Sequence, residues 1–360
     1  MDQSTSLPAS LAAAHDAPDA GPMPGALASL AEAIGDTPLV RLARLAPAPE
    51  PHANRLHGKC EFMNPGGSIK DRLARTLLTE AARRGLLAPG GTVIETTSGN
   101  TGVGLATVGA ILGYRVVLVV ARTTTPDKIN LLRACGATVH LVSPGLPADH
   151  PESGTATARR LAREIPGAWF ANQFGNPMNW QSAYAGLGRE LWRQSDGRID
   201  ALVCGAGTGG TLHGVARFLK EQNPGVEIVL AEPPGSAFSA AWHARAATFR
   251  GSLVEGVGND EVPVVASLAD VDRVFEIADA ESRAVSQRLF EREGMLAGPS
   301  SGCIVAAALR YCATAPATAR GRNVVALLPD GARPYLNTFF DPAWCEARGL
   351  TADGARPGAD

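Results

Sequence analysis

Short runs of aliphatic and β-branched residues alternate with amphipathic stretches from about residue 34 to residue 340. The apolar runs at 92–94, 116–120, 138–142, 201–204, 227–231 and 323–328 predict buried parallel strands, because strands covered on both faces lose the apolar–polar alternation. Between them, 71–84, 128–135, 211–221 and 280–293 carry apolar residues at helical spacing. Regular exchange of the two patterns predicts an α/β chain with mainly parallel sheets. In such sheets ligands bind beyond the carboxyl ends of strands, where helix N-termini present free amides, so the turns after strands are the places to look for chemistry.

The chain has 360 residues, enough for two domains. A formal charge of −2 gives no electrostatic reason to expect nucleic acid or an anionic membrane as partner. No stretch approaches the roughly 20 apolar residues of a membrane span. Residues 1–28, rich in Ala, Pro, Ser and Gly, lack the pattern of a secretory signal and are expected to be a flexible extension, with a similar tail at 346–360. Six cysteines without a C-x-x-C pair, and histidines without ligand spacing, argue against a metal site and fit a reducing cytoplasm. Cys135, Cys204 and Cys303 are expected to be buried, inert thiols.

Four turns stand out. The first is the N-P-G-G-S-I-K-D-R segment at 64–72, a tight turn leading into a helix near Ser68. A lysine in a first helical turn opposes the macrodipole, and the chain has only four lysines: Lys59, Lys70, Lys128 and Lys220. The neutral amine favoured there suits Schiff-base chemistry, whereas the plain alternative is a surface lysine. The second turn, E-T-T-S-G-N-T-G at 95–102, ends a strand with a dense set of hydroxyl and amide groups. It reads as a carboxylate site, since a simple cap needs one such residue rather than four.

The third turn, G-A-G-T-G-G-T at 205–211, satisfies G-x-G-x-x-G through Gly205, Gly207 and Gly210, with Glu232 about 20 residues on. By itself it reads as a nicotinamide-dinucleotide fingerprint or as a cradle for any phosphate at a helix start. The fourth, G-P-S-S-G at 298–302, offers a hydroxyl or merely a cap.

In this order the four segments resemble the cysteine synthase and cystathionine β-synthase family of fold-type II pyridoxal-phosphate enzymes, whose fold is tryptophan synthase β-like. The likeness runs from I-G-D-T-P-L-V at 34–40 to L-P-D-G at 328–331. It implies pyridoxal 5'-phosphate as cofactor, with Lys70 as its Schiff-base anchor and catalytic base. It further implies that Asn100 meets the cofactor's ring hydroxyl oxygen, that Gly207, Thr208, Gly209, Gly210 and Thr211 hold its phosphate, and that Ser300 faces its pyridine nitrogen. Thr97, Ser98, Asn100, Thr101, Gln173 and Gly256 would bind substrate. A hydroxyl at the ring nitrogen, unlike a carboxylate, does not enforce protonation there, which suits elimination.

The implied architecture is a larger cofactor-binding domain at 29–74 and 179–345, with a smaller mobile domain at 75–178 closing over the substrate. The implied reaction is β-substitution on an activated L-serine derivative through an aminoacrylate. A cysteine synthase-like transferase using O-acetylserine or O-phosphoserine plus sulfide comes first. N-(2-amino-2-carboxyethyl)-L-glutamate synthase, using O-phosphoserine plus glutamate, and cystathionine β-synthase are the alternatives. The N-W-Q-S-A-Y-A-G run at 179–186 departs from plain cysteine synthases and is similar to the glutamate-using branch, suggesting that Trp180 and Tyr184 recognise the acceptor or else merely pack. A cytoplasmic homodimer without regulatory or heme-binding extensions is the family expectation. A nicotinamide oxidoreductase would leave Lys70 idle, and a cofactor-free binding relative would leave every implied cofactor contact unexplained.

Overall fold

The computed structural model describes residues 23, 25–45, 54–97, 99–146, 150–314 and 321–350. Two strands, β1 (Leu39–Arg41) and β2 (Arg55–Cys60), precede helix α1 (Lys70–Arg83). There follow β3 (Thr92–Thr96), α2 (Asn100–Leu112), β4 (Arg115–Ala121), α3 (Pro126–Ala134), β5 (Thr138–Val142), α4 (Gly154–Glu164) and β6 (Ala168–Phe170). Helices α5 (Met178–Ala183) and α6 (Arg189–Gln194), joined by a π-helical turn, lead into β7 (Ala201–Gly205) and α7 (Gly210–Gln222). The chain continues through β8 (Glu227–Glu232), α8 (Ala237–Trp242), β9 (Arg273–Glu276), α9 (Asp279–Glu293), α10 (Pro299–Thr314), β10 (Asn323–Leu328) and α11 (Pro342–Glu346).

The strands form a six-stranded sheet, β1-β2-β10-β7-β8-β9, and a four-stranded sheet, β5-β4-β3-β6. Every pairing is parallel except β1 with β2. Both sheets are covered on both faces, which is why their central strands read as unbroken apolar runs. In the larger sheet Val203, Val229 and Val324 pack with Cys303–Ala308 of α10, while Leu202, Leu230 and Val325 pack with Leu212, Val215 and Leu219 of α7. In the smaller sheet Val116 and Leu118 lie against α2, which α1 backs with Leu73 and Leu77, and Val117 and Val119 share a core with Ala158 and Leu161 of α4.

All six predicted strands are present. The four the pattern did not reveal, β1, β2, β6 and β9, are short edge strands or carry polar residues. In β2 the reason is tertiary. Lys59 is wholly buried because its amine donates to Thr37 O, Gln194 Oε1 at 2.8 Å and the Glu190 carboxylate. Arg72 joins this group, its guanidinium reaching Glu61 at 2.6 and 2.8 Å and Glu190 at 2.7 and 2.9 Å. Two cations and two anions thus tie β2, the turn after it and α6 to the start of α1.

Two expectations need correction. The tail expected to be flexible from 346 packs as far as Leu350, which is buried and accepts a hydrogen bond from Arg283, because its apolar side chain has core to cover. Most of the expected N-terminal extension, and residues 351–360, lie outside the described residues. Cys204 and Cys303 are buried as expected, but Cys135 at the end of α3 is only half-buried.

Candidate active site

The carboxyl ends of β3, β7 and β10 meet at a cleft, and Lys70 is the first residue of α1 beside it. The turn before Lys70 is fixed to the end of β10: Ile69 N donates to Pro329 O at 2.8 Å, and Ser68 pairs with Asp330. Lys70 lines the cleft together with Thr97, Asn100, Thr101, Gln173, Thr208 and Gly256, around a cavity of about 170 Å³. Desolvation pushes the Lys70 amine below the usual lysine range, and the charge of Asp330 opposes that shift. The direction is the one expected from the sequence, but its cause is burial.

Across the cleft, β7 ends at Gly205 and α7 begins at Gly210. Gly209 has φ +77°, and a side chain there would stand 2.4 Å from Ala266 Cβ, so both conformation and space require glycine. Thr208 Oγ1 accepts from Gly210 N at 3.3 Å and from Asn179 Nδ2 at 3.1 Å. The start of this 13-residue helix lines the same cavity as Lys70, through Thr211 and Leu212, together with Gly207, Thr208 and Gly209 of the loop before it. Glu232 does not approach it. It is fully buried and accepts from Ala206 N at 3.0 Å and from the Ser236 hydroxyl, and burial pushes its carboxyl up to about 8. An inward carboxyl that braces its own loop leaves no acid for a ribose, so the dinucleotide reading of these glycines fails.

The third wall is the turn between β3 and α2. Thr101 donates to Gln173 Oε1 at 2.8 Å, Gln173 Nε2 donates to Thr96 O at 3.1 Å, and Asn179 Nδ2 donates to Gln173 O at 2.7 Å. Asn179 therefore ties this wall to the Thr208 loop. Glu95, invisible to pattern reading as a functional group, holds the wall from behind by accepting from Thr96 N at 2.8 Å and Gln173 N at 2.9 Å. Burial pushes its carboxyl up to about 7. Ser98 lies outside the described residues. Ser300, in the first turn of α10, is buried beside Gly256, whose added Cβ would meet Ser300 Cβ at 3.9 Å. The structure thus gathers Lys70, Thr97, Asn100, Thr101, Gln173, Gly256 and the 207–211 loop around one cleft.

Residues 30–330 match the family described as pyridoxal-phosphate dependent enzyme. This chain belongs to that family. Among its relatives, cystathionine beta-synthase of Apis mellifera is 38% identical over 320 residues, 88% of this chain and 62% of that protein. Cysteine synthase 1 of Emericella nidulans is 39% identical over 332 residues, 91% of this chain and 88% of that protein. A crystal structure of O-ureido-L-serine synthase superposes with a TM-score of 0.78 at 36% identity, covering 93% of this chain and 98% of the other. The chain spans about three fifths of the cystathionine beta-synthases it matches, at 62% of the Apis mellifera protein.

Within the 179–184 segment of this pyridoxal-phosphate dependent enzyme Asn179 braces the cleft walls, whereas Trp180 and Tyr184 turn away from the cleft. Trp180 stacks on His213 of α7 with centroids 4.7 Å apart, and Tyr184 packs edge-on against Phe218 at 5.4 Å. Neither lines the cavity. Their spacing of four places both on the side of α5 that meets α7, so packing explains the pair and acceptor recognition does not. At the cleft mouth stand groups the pattern did not mark. Lys128 pairs with Glu255 at 2.5 Å and lies 4.6 Å from the centre of the Tyr335 ring.

Proposed function

We propose that this chain catalyses β-substitution on an activated L-serine derivative, with Lys70 as cofactor anchor and as base at the substrate α-carbon. The observation that carries the reading is convergence. A desolvated amine, the amide cradle of α7 and the hydroxyl–amide wall around Gln173 all border one cleft. Those three features fit pyridoxal phosphate, which needs an amine for its aldehyde, donors for its phosphate and a place for a substrate carboxylate. When bound, it withdraws electrons from the substrate α-carbon. The protein supplies position and proton control.

Gly207, Thr208, Gly209, Gly210 and Thr211 hold the phosphate, and Asn100 meets the ring hydroxyl oxygen. Thr97, Asn100, Thr101, Gln173 and Gly256 orient the substrate, with Ser98 completing the set. The Lys70 amine, kept out of water, accepts and returns the α-proton. The domain division at 29–74 with 179–345 against 75–178 places the four-stranded sheet in the smaller unit. Its closure over the cleft would exclude water while the leaving group departs.

Ser300 gives a test of the ring-nitrogen contact. Ser300→Ala should keep most activity, whereas Ser300→Asp should alter the ratio of substitution to side reactions, because a carboxylate holds a proton on the ring nitrogen. Activity of Ser300→Ala as low as that of a Lys70 variant at full cofactor occupancy overturns the contact.

Sulfide with O-acetylserine or O-phosphoserine is the reading we favour. Cysteine synthase 1 aligns over most of both chains, and Trp180 and Tyr184 of the run that pointed to glutamate pack away from the cleft. The purified enzyme, given either donor, should develop a transient visible band that sulfide quenches, with L-cysteine found by mass spectrometry. Quenching by glutamate with an amine adduct would move the reading to N-(2-amino-2-carboxyethyl)-L-glutamate synthase. Quenching by homocysteine alone would move it to cystathionine β-synthase.

The homodimer belongs to the same proposal. Phe290, Leu296 and Leu336 are exposed around one shallow apolar recess, a surface that suits a second copy. So does a cytoplasmic setting, supported by six free cysteines. Among the described residues no helix is long and apolar enough to cross a membrane.

A further inference from the structure

Asp330 follows β10 at the point where three elements of the cleft meet. Its backbone pairs with Ser68 in the turn before Lys70, and its carbonyl accepts from Gly298 N at 2.9 Å in the turn before Ser300. Its side chain reaches the third element. Oδ2 accepts from Asn100 Nδ2 at 2.8 Å and from the Tyr335 hydroxyl at 2.6 Å. Oδ1 is buried and, among the described residues, has no partner. A partnerless carboxylate oxygen in the interior is destabilising, so fold stability alone does not account for it. The surrounding chain makes room for it: a side chain at position 298 would lie 2.1 Å from Oδ1, and only Gly298 avoids that collision.

An ionised carboxylate only accepts hydrogen bonds, so it turns the amide nitrogen of Asn100, not the oxygen, towards itself. The remaining Nδ2 hydrogen is then the donor Asn100 can offer to a ligand. The same carboxylate acts on charge. Burial is the largest influence and leaves the Asp330 carboxyl raised; the hydrogen bonds from Tyr335 and Asn100 and the Lys128 cation oppose that rise, and Glu255 adds to it. Lys70 feels Asp330 as the charge that opposes its own desolvation.

We infer that Asp330 is a positioning residue for the reaction, orienting the Asn100 amide and setting a negative charge that governs the proton on the Lys70 amine. The inference rests on the proposed use of Lys70 and Asn100 with the cofactor. It adds a buried Asp330–Tyr335 pair at the edge of the cleft that controls both.

The test uses the full chain freed of cofactor. Arylation of Lys70 by fluorodinitrobenzene is followed across a pH series and quantified on the Lys70 peptide by mass spectrometry. Asp330→Asn is nearly isosteric and removes the charge, so the midpoint for Lys70 should fall by about one pH unit. Tyr335→Phe strips the Asp330 carboxylate of one of its two donors, which raises that carboxyl further and so lessens its negative charge, and the midpoint should fall in the same direction by less. This variant decides the matter where Asp330→Asn does not fold. An unmoved or raised midpoint in the folded variants overturns the inference, even with lowered thermal stability, because that would be a structural role only. The midpoint is read without cofactor or substrate. A failure here therefore differs from a failure of the proposed function, which would appear as cofactor binding and turnover surviving Lys70→Ala.

Discussion

Lys70→Ala should abolish turnover, by at least about 10³-fold, while circular dichroism and the thermal transition remain those of the parent. The substitution removes the amine that anchors the cofactor and the base that serves the α-carbon. It also removes a desolvated amine from the cleft, so no loss of stability is expected from the change itself. The visible band of the loaded enzyme, erased by borohydride in the parent, should disappear with it. Activity within tenfold of the parent would place the anchor elsewhere, and the structure narrows where. Lys59 is buried against Glu190 under α1, and Lys220 pairs with Asp272 on the far side of α7. Lys128 alone of the remaining lysines lines the cleft, already paired with Glu255.

Arg72→Ala should be the most destabilising single change near the site, by about 3–5 kcal/mol in denaturant titration. Arg72 is buried and bridges Glu61 and Glu190, so truncation leaves, among the described residues, Glu61 without an ion-pair partner and Glu190 paired with Lys59. A loss below about 1 kcal/mol would show that the group is wetter than its burial implies. The pH dependence has a definite sign. Burial alone would raise the Glu190 carboxyl, but the hydrogen bonds and charge of Arg72, then Lys59, hold it at about 2, below its ordinary 4.5. A depressed folded value means that the contribution is complete above about pH 4.5 and is lost as pH falls towards 2. Arg72→Ala should flatten that acid limb. An unchanged limb would assign acid sensitivity to other carboxylates.

Local chemistry determined much of this protein. Unbroken apolar runs located β4, β7, β8 and β10, because strands covered on both faces have no polar side to show. The glycine- and threonine-rich turns located the cleft, because amides at helix starts and hydroxyls after strands are properties of a few consecutive residues. The ordered set of four turns carried the cofactor family, which the match over 30–330 shows.

What the sequence could not reveal depended on partners far along the chain. Gly-x-Gly-x-x-Gly followed by Glu232 is the same string whether the acid meets a ribose or folds back on Ala206 N, and only the packing of β8 against β7 decided that. Trp180 and Tyr184 have one spacing whether they recognise an acceptor or fill the α5–α7 contact. Lys59 broke the apolar pattern of β2 because its counter-charge lies 131 residues away at Glu190. Asp330 meets Asn100 across 230 residues. Buried charges are stable only with partners, and partners are chosen in three dimensions. The sequence therefore determined which turns carry chemistry, and tertiary structure decided which buried charges position them.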